Sequence, residues 1–168
     1  MCIRDRLYMP YLNGERTPHL DPNARGVFFG LSTMHKKKEM LRAVMEGVSY
    51  SLRDCVEVMR EMNINVSDMM ASGGGGTSPL WRQMLADLYG CPVKTSASKE
   101  GPALGVAILA MVAAGIYASV PEACDQICGV DKVQEPVADH VPQYEKFYRL
   151  YTEIYPAVKD KMAALAKL

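Results

Sequence analysis

The sequence predicts an α/β protein, and three observations carry this prediction. Short apolar segments that favour strands alternate with longer segments whose apolar residues recur every three or four positions. A run of four glycines follows one strand-like segment and precedes a helix. One composition extends over residues 7–168, without an internal repeat or a low-complexity segment. Alternating strands and helices are typical of α/β folds, and this length suits one domain.

The first six residues do not share the pattern of the rest. Met1–Arg6 carry no apolar stretch of the kind that a signal peptide needs, and they look like translated sequencing-adapter DNA. We therefore expect residues 1–6 to be non-native and the domain to cover residues 7–168. The true reading frame would then start upstream of Leu7.

The N-terminal half should contain an ordered loop, a strand and a long helix. Leu7 to Arg25 is rich in Pro, Asn and Gly, which predicts a loop with turns, and Gly26 to Leu31 predicts a short strand. From about Lys37 to Met62 the spacing predicts an amphipathic helix. Its apolar stripe is Leu41, Val44, Met45, Val48, Leu52, Cys55, Val56 and Met59.

The centre of the chain predicts a strand, a glycine loop and a helix in succession. Asp68 to Ser72 reads as a strand that leads directly into Gly73–Gly76. Ser78 can cap the following helix, which spans Leu80 to Tyr89 with Pro79 at its first position, and Gly90 can close it.

The last third should hold one more strand and three helices. Pro92 to Ser96 favours a strand, and Pro102 to Ala114 predicts a helix that is apolar on nearly every side and should therefore be buried. A short helix fits Pro121 to Cys128, and a loop should run through His140. The final helix carries an apolar stripe of Tyr144, Phe147, Tyr148, Tyr151, Ile154, Tyr155, Val158, Met162 and Leu165, with Pro156 inside it.

Composition excludes several classes of partner. The 19 basic and 19 acidic residues balance, so we expect no nucleic-acid partner and no attraction to a membrane surface. The apolar stretch from Pro102 to Ala118 is mostly small residues, which does not favour a membrane span. Five scattered cysteines without a CxxC pair predict a reducing, cytoplasmic location and no zinc site.

The glycine run Gly73–Gly76 is the main candidate binding element. Glycines let backbone N–H groups approach a flat or anionic ligand at the start of a helix. The run is not a Walker A loop, because no Gly-Lys-Ser/Thr follows, and Ser78 occupies the third glycine position of a dinucleotide fingerprint. A tight turn without a ligand is the alternative on this pattern alone.

Four motifs in order resemble the FGGY carbohydrate kinases, and within them the xylulokinase group. Gly73 to Asp87 resembles the adenosine-binding motif, and Gly26 to Glu46 matches the spacing of the second family signature. Tyr11 to Pro18 looks like the loop before that signature, and Glu100 to Ala107 resembles a later buried helix. One departure is that Gly76 and Thr77 stand where relatives usually have Ala and a basic residue.

The resemblance implies an actin-like ATPase (ribonuclease H-like) fold, of which this chain would be the C-terminal FGGY kinase domain. It implies transfer of a phosphoryl group from ATP to D-xylulose with Mg2+. The sugar would be bound mainly by the missing N-terminal domain, and a homodimer stays open. The nucleotide-binding residues would be Gly73, Gly74, Gly75, Gly76, Thr77 and Ser78. No catalytic or metal-ligating residue is assigned in this chain, and the isolated chain should be inactive.

Two alternatives remain at this point. The chain could belong to another FGGY kinase, acting on glycerol, gluconate or ribulose, since the sugar pocket is missing. It could instead be a free-standing nucleotide-binding or interaction module without catalysis.

Several side chains allow both a functional and a structural interpretation, and in each case we favour the structural one. Trp81 could border an adenine, but a core position is the more common role of a tryptophan in a helix. Glu15 and Arg16 could take part in catalysis, but an ion pair that fixes their loop is the favoured interpretation. His19, His35 and His140 share no metal-ligand spacing and should be ordinary loop or surface residues.

Overall fold

The computed structural model describes residues 5–97 and 101–168. The chain divides into two compact units. Unit 1 comprises residues 1–66, 87–90 and 136–168, and unit 2 comprises residues 67–86 and 91–135. Met1–Arg4 of the predicted non-native segment and Glu100 of the fourth motif lie outside the described residues.

Unit 1 combines a small hairpin-like sheet with two long helices. The antiparallel strands pair Leu7 with Phe29 and Met9 with Val27. The elements are β1 (Leu7–Met9), β2 (Val27–Phe29), α1 (Lys37–Glu61) and α6 (Val141–Leu165). The strand β2 and both helices are confirmed within three residues of their predicted ends, and α6 continues through Pro156. Strand β1 was missed, because its three residues stand at the start of a segment rich in turn residues.

The apolar stripe predicted for α1 is wrong, because Val56 is its one buried member, and Leu41, Leu52 and Met59 are exposed. The buried face of α1 instead includes Glu46, Arg53 and Asp54, whose charges are met by ion pairs and hydrogen bonds.

The core of unit 1 is a cluster of tyrosines from α1 and α6. The ring of Tyr50 lies 5.1 Å from that of Tyr151 and 6.1 Å from that of Tyr148, measured between centroids. Tyr144 adds an edge-on contact at 6.4 Å. Tyr144, Tyr148 and Tyr151 belong to the predicted apolar stripe of α6 and are buried, which confirms that this stripe faces the core.

Strand β1 lies directly against α1. A side-chain carbon at Gly47 would collide with the backbone carbonyl of Tyr8, so only glycine lets the helix approach the strand this closely. Arg6, just before β1, is 4% exposed and donates from Nε to the backbone oxygen of Glu39 at 3.0 Å. That residues 1–6 are non-native remains a prediction.

Unit 2 is built on a three-stranded mixed sheet in the order β3-β4-β5. Strands β3 and β4 are parallel, with Met69 opposite Val93, and β5 is antiparallel to β4. The elements are β3 (Met69–Ala71), α2 (Gly73–Thr77), α3 (Pro79–Tyr89, of which the last three residues belong to unit 1), β4 (Val93–Ser96), α4 (Pro102–Ala113), α5 (Val120–Ile127) and β5 (Val130–Gln134). The parallel pair joined through α3 is the arrangement that the alternating pattern predicts.

Two expectations for unit 2 are wrong. Strand β5 was predicted as a loop, because its residues are almost all exposed and show no alternation. Helix α4 was predicted to be buried, yet Ile108 is its one buried residue, and Val106 and Leu109 are 68% and 59% exposed. Helix α4 packs against α5, and unit 2 has too few elements to cover a helix that is apolar all round.

Candidate functional site

The glycine run connects β3 to α3 in unit 2, and it is not the open loop that the sequence predicts. Ser72 is extended, Gly73 has a φ of +67°, and Gly73–Thr77 then form the short helix α2. Ser78 is extended again and separates α2 from α3. Glycine is unfavourable in a helix, so contacts made by the turn, and not local propensity, hold these residues in the helical form. The six predicted site residues therefore form one compact turn.

Two of the four glycines are required by the backbone. The positive φ of Gly73 lies in the region that favours glycine. A side-chain carbon at Gly76 would lie 2.6 Å from the carbonyl oxygen of Ala71, closer than real atoms approach. The turn is thus held tightly against the end of β3.

The other two glycines are not needed for packing. A side-chain carbon at Gly74 would meet no heavy atom within 4 Å, and at Gly75 it would lie 3.5 Å from the indole of Trp81 in ordinary contact. Gly73 also has open space around the position of a side-chain carbon. The backbone at Gly73 and Gly74 is therefore accessible to a ligand.

The polar residues Thr77 and Ser78 brace the turn. The Thr77 hydroxyl donates to the Gly74 carbonyl at 2.9 Å. The Ser78 hydroxyl accepts from the Trp81 amide at 3.3 Å, which is the predicted cap of α3. Both side chains thus serve the local structure, and Thr77 remains exposed beside Gly74.

Trp81 lies against the glycine turn. Its indole is half-buried, and its ring atoms pack over Gly75. Trp81 therefore occupies the predicted core position only in part. The ring borders the open face of the turn.

Arg82 is the residue of this region to which sequence reasoning gave no role. It is 6% exposed, and its Nη1 donates to the backbone carbonyl of Gly76. Its Nε has no hydrogen-bond partner among residues 5–97 and 101–168. A signal was present in the sequence, because Arg82 shares a helix face with Leu85, Ala86 and Tyr89, where a charged residue is unusual.

The loop of Glu15 and Arg16 does not contain the predicted ion pair. The Glu15 carboxylate instead accepts from the backbone amides of Thr17, at 2.7 Å, and His19, at 2.8 Å. Two local amide donors satisfy both carboxylate oxygens without ordering a long side chain, which explains the difference. In unit 1 a cleft of about 390 Å³ borders this loop, lined by Asn13, Gly14, Glu15, Arg16, Leu20 and Pro22.

The histidines are structural. His19 stacks on Tyr155 at 3.9 Å between ring centroids, and His35 Nε2 lies 3.1 Å from Asp5. His140 is more than a surface residue, because its Nδ1 lies 2.8 Å from a carboxylate oxygen of fully buried Asp87. Within residues 5–97 and 101–168 there is no group of three His, Cys, Asp or Glu side chains that could hold a metal ion.

Hydropathy places no helix of the described chain across a membrane, since none is both long and apolar enough.

The fold of the chain is that of the carbohydrate kinases. The crystal structure of ligand-bound xylulose kinase from Lactobacillus acidophilus matches it with a TM-score of 0.89 at 34% identity, over 96% of this chain and 33% of that one. This is the actin-like ATPase (ribonuclease H-like) fold that the four motifs imply. It is helix-rich here, with a small mixed sheet.

The family follows from the sequence match. Residues 4–114 match the model of the FGGY family of carbohydrate kinases, C-terminal domain. This chain belongs to the FGGY family of carbohydrate kinases. The recognition of the family from the four motifs is thereby confirmed.

Curated relatives include kinases for more than one substrate. A xylulose kinase of Staphylococcus epidermidis is 38% identical over 159 residues, which is 95% of this chain and 32% of the relative. A gluconokinase of Bacillus subtilis is 34% identical over 161 residues, 95% of this chain and 31% of the relative. The chain thus spans about a third of the length of the curated relatives it matches.

Proposed function

We propose that this chain is the nucleotide-binding part of an ATP-dependent sugar kinase, and that the turn of Gly73–Ser78 receives the adenosine part of ATP. One observation carries the assignment of the turn. The backbone at Gly73 and Gly74 has open space where side chains would stand, although Gly76 fixes the same turn against β3. A rigid turn with a bare face lets a flat ligand approach the main chain closely.

The residues of the turn divide into a ligand face and a support. Gly73 and Gly74 form the bare face, and the indole of Trp81, which packs over Gly75, extends it as an apolar border. Thr77 and Ser78 hold the shape of the turn through the hydrogen bonds described above. These residues fit the planar, mostly apolar base of a nucleotide.

In the proposed reaction, the γ-phosphoryl group of ATP passes to a hydroxyl of the sugar. Such a transfer needs in-line positioning, neutralisation of charge and an acceptor for the hydroxyl proton. Nothing among the described residues combines these features, so we assign this chain the binding of the nucleotide and no catalytic group. Mg2+ would supply charge neutralisation, but the described residues offer no cluster of ligands for it. We assign no magnesium ligand here.

The sugar that we propose is D-xylulose, acted on when the rest of the protein is present. The 38% identity with a xylulose kinase supports this choice over gluconate, for which the relative is 34% identical. A panel of D-xylulose, gluconate, glycerol and ribulose, tested with ATP and the complete gene product, decides between them. Phosphorylation of gluconate in preference to D-xylulose would contradict the proposal.

A nucleotide-binding module without catalysis is the second candidate. It is favoured by the open nucleotide turn together with the missing catalytic group in the described residues. The complete gene product separates the two candidates, since a kinase consumes ATP when a sugar is added and a binding module does not.

The binding of ATP and ADP to the 168-residue chain tests the site itself. Trp81 is the single tryptophan and lies against the turn, so its fluorescence should change when a nucleotide binds. Gly74→Val places a side chain in the open space and should raise the dissociation constant at least about tenfold, with calorimetry as the second measurement.

Gly105→Val is the matched control. Gly105 lies in α4, outside the turn, and it too has no heavy atom within 4 Å of its side-chain position. Its replacement should leave the dissociation constant within about twofold, the range of near-neutral surface changes. If Gly74→Val binds ATP as well as the unmodified chain, the turn is not the nucleotide site.

A further inference from the structure

We propose that Arg82 is a positioning residue for the Gly73–Ser78 turn, which it holds by the backbone carbonyl of Gly76. The inference rests on the proposed function, since it assigns the support of the same nucleotide site. It goes beyond that function by naming a buried side chain that does not touch the ligand face.

The contacts of Arg82 tie α3 to the end of the turn. Its guanidinium donates from Nη1 to the carbonyl oxygen of Gly76, and its own amide donates to the carbonyl of Ser78 at 3.0 Å. Gly76 is buried, and its other side lies against the carbonyl of Ala71. The Gly76 peptide is therefore held between β3 on one side and Arg82 on the other.

Among the described residues, no carboxylate balances the charge of Arg82, because none lies within salt-bridge distance of its guanidinium. The buried Nε of Arg82 likewise has no hydrogen-bond partner in the described part of the chain. A buried, unpaired guanidinium costs stability, so packing alone does not explain an arginine here.

A hydrogen bond from a charged donor to a main-chain carbonyl fixes backbone orientation strongly. Gly76 is the last glycine of the short helix α2, so the direction of its carbonyl is coupled to the way in which Gly73 and Gly74 are presented. An apolar side chain of similar length would fill the space of Arg82 without fixing that carbonyl. Arg82 thus acts on the ligand face through Gly76.

Two measurements on the 168-residue chain test this role. Arg82→Met should raise the amide hydrogen-exchange rate of residues 73–78 about tenfold, because the Gly76 carbonyl loses its donor. It should raise the dissociation constant for ADP by a similar factor. Arg82→Lys keeps the charge and one donor and should recover part of both losses. Arg82→Gln replaces the methionine variant if that variant does not fold.

Met84→Ala is the control for a general loss of stability. Met84 lies in the same helix, is 1% exposed, and has no part in the turn. Its removal should lower the unfolding temperature, yet leave the exchange of residues 73–78 and the ADP affinity unchanged at temperatures where the chain is folded.

The outcomes separate the two proposals. Unchanged exchange of residues 73–78 in Arg82→Met overturns the role of Arg82, and so does raised exchange with unchanged ADP affinity. If the unmodified chain does not bind ATP or ADP while exchange rises in the variant, the proposed function fails and the hold of Arg82 on the turn stands.

Discussion

The hydroxyl of Tyr148 donates a 2.7 Å hydrogen bond to the carboxylate of Asp54 inside unit 1. Asp54 is 7% exposed, and burial raises its pKa to about 6 even though the bond from Tyr148 works in the opposite direction. The adjacent Arg53 guanidinium lies 4.0 Å above the Tyr148 ring and also favours the ionised carboxylate, more weakly. Asp54 therefore ionises inside the protein at a higher pH than it would in an unfolded chain.

This pKa predicts a loss of stability between about pH 4 and pH 6. In that interval the folded chain holds a proton on Asp54 that the unfolded chain, with an aspartate pKa of about 3.9, has released. The free energy of unfolding should fall as the pH rises through the interval. Asp54→Asn removes this titration and keeps an acceptor for Tyr148.

Urea unfolding of both proteins at pH 4, 5, 6 and 7.5 measures the effect. The difference in unfolding free energy between the variant and the unmodified chain should grow in favour of the variant up to about pH 6 and then level off. A difference that stays constant across the four values would contradict the raised pKa of Asp54.

The close approach of α1 to β1 predicts that Gly47→Ala destabilises unit 1. The added methyl group would collide with the Tyr8 carbonyl, and the expected cost of such overpacking is about 1–3 kcal/mol. Gly105→Ala in α4 meets no atom within 4 Å and should gain about 0.5–1 kcal/mol from helix propensity.

Amide hydrogen exchange, measured on peptides from α1 and from α4, reports the effect of each glycine substitution separately. Protection should fall in α1 for Gly47→Ala and rise in α4 for Gly105→Ala. Unchanged protection of α1 would show that β1 moves aside without cost.

The buried carboxylate of Asp87 predicts a third stability effect. It accepts from the Val137 amide at 2.8 Å and faces His140 Nδ1 at 2.8 Å. Asp87→Asn removes the charge and turns one acceptor into a donor, which should cost about 1.5–3 kcal/mol. Thermal unfolding is the measurement.

The neighbouring exposed Asp139 supplies the comparison for Asp87. Asp139→Asn removes the same charge at the surface and should change stability by less than about 0.5 kcal/mol. Equal effects of the two substitutions would mean that the contacts of Asp87 contribute no more than a surface charge does.

Long helices with clear spacing could be predicted from the sequence almost to the residue. For α1 the predicted range began at Lys37 and ended one residue beyond Glu61. The strands β1 and β5 could not be found, because three residues give too little alternation and β5 is exposed on both faces. The burial of α4 could not be predicted either. Its composition shows that the helix is apolar all round, but not whether other elements of the fold cover it.

The position of the glycine turn could be predicted from the sequence, but its helical conformation could not. The glycine run and the Ser78 cap are visible in the sequence, and the structure brings Gly73–Ser78 together at one turn. The helical form of the run was missed, because glycine is unfavourable in helices and a run of four glycines predicts an irregular turn. Arg82 was missed because one charged residue on an apolar helix face is a weak signal, and its main-chain partner cannot be predicted from the pattern of side chains.

The four glycines of the turn are under two different kinds of constraint, which natural variation can separate. In this chain the positive φ of Gly73 and the close approach of the Ala71 carbonyl to Gly76 disfavour a side chain at both positions, whatever the protein binds. At Gly74 and Gly75 the chain alone would tolerate alanine or serine, so neutral drift would soon introduce them. If the turn binds a nucleotide as we propose, selection for that ligand keeps Gly74 and Gly75 bare, and a survey of homologues that have lost kinase activity should find side chains first at positions 74 and 75.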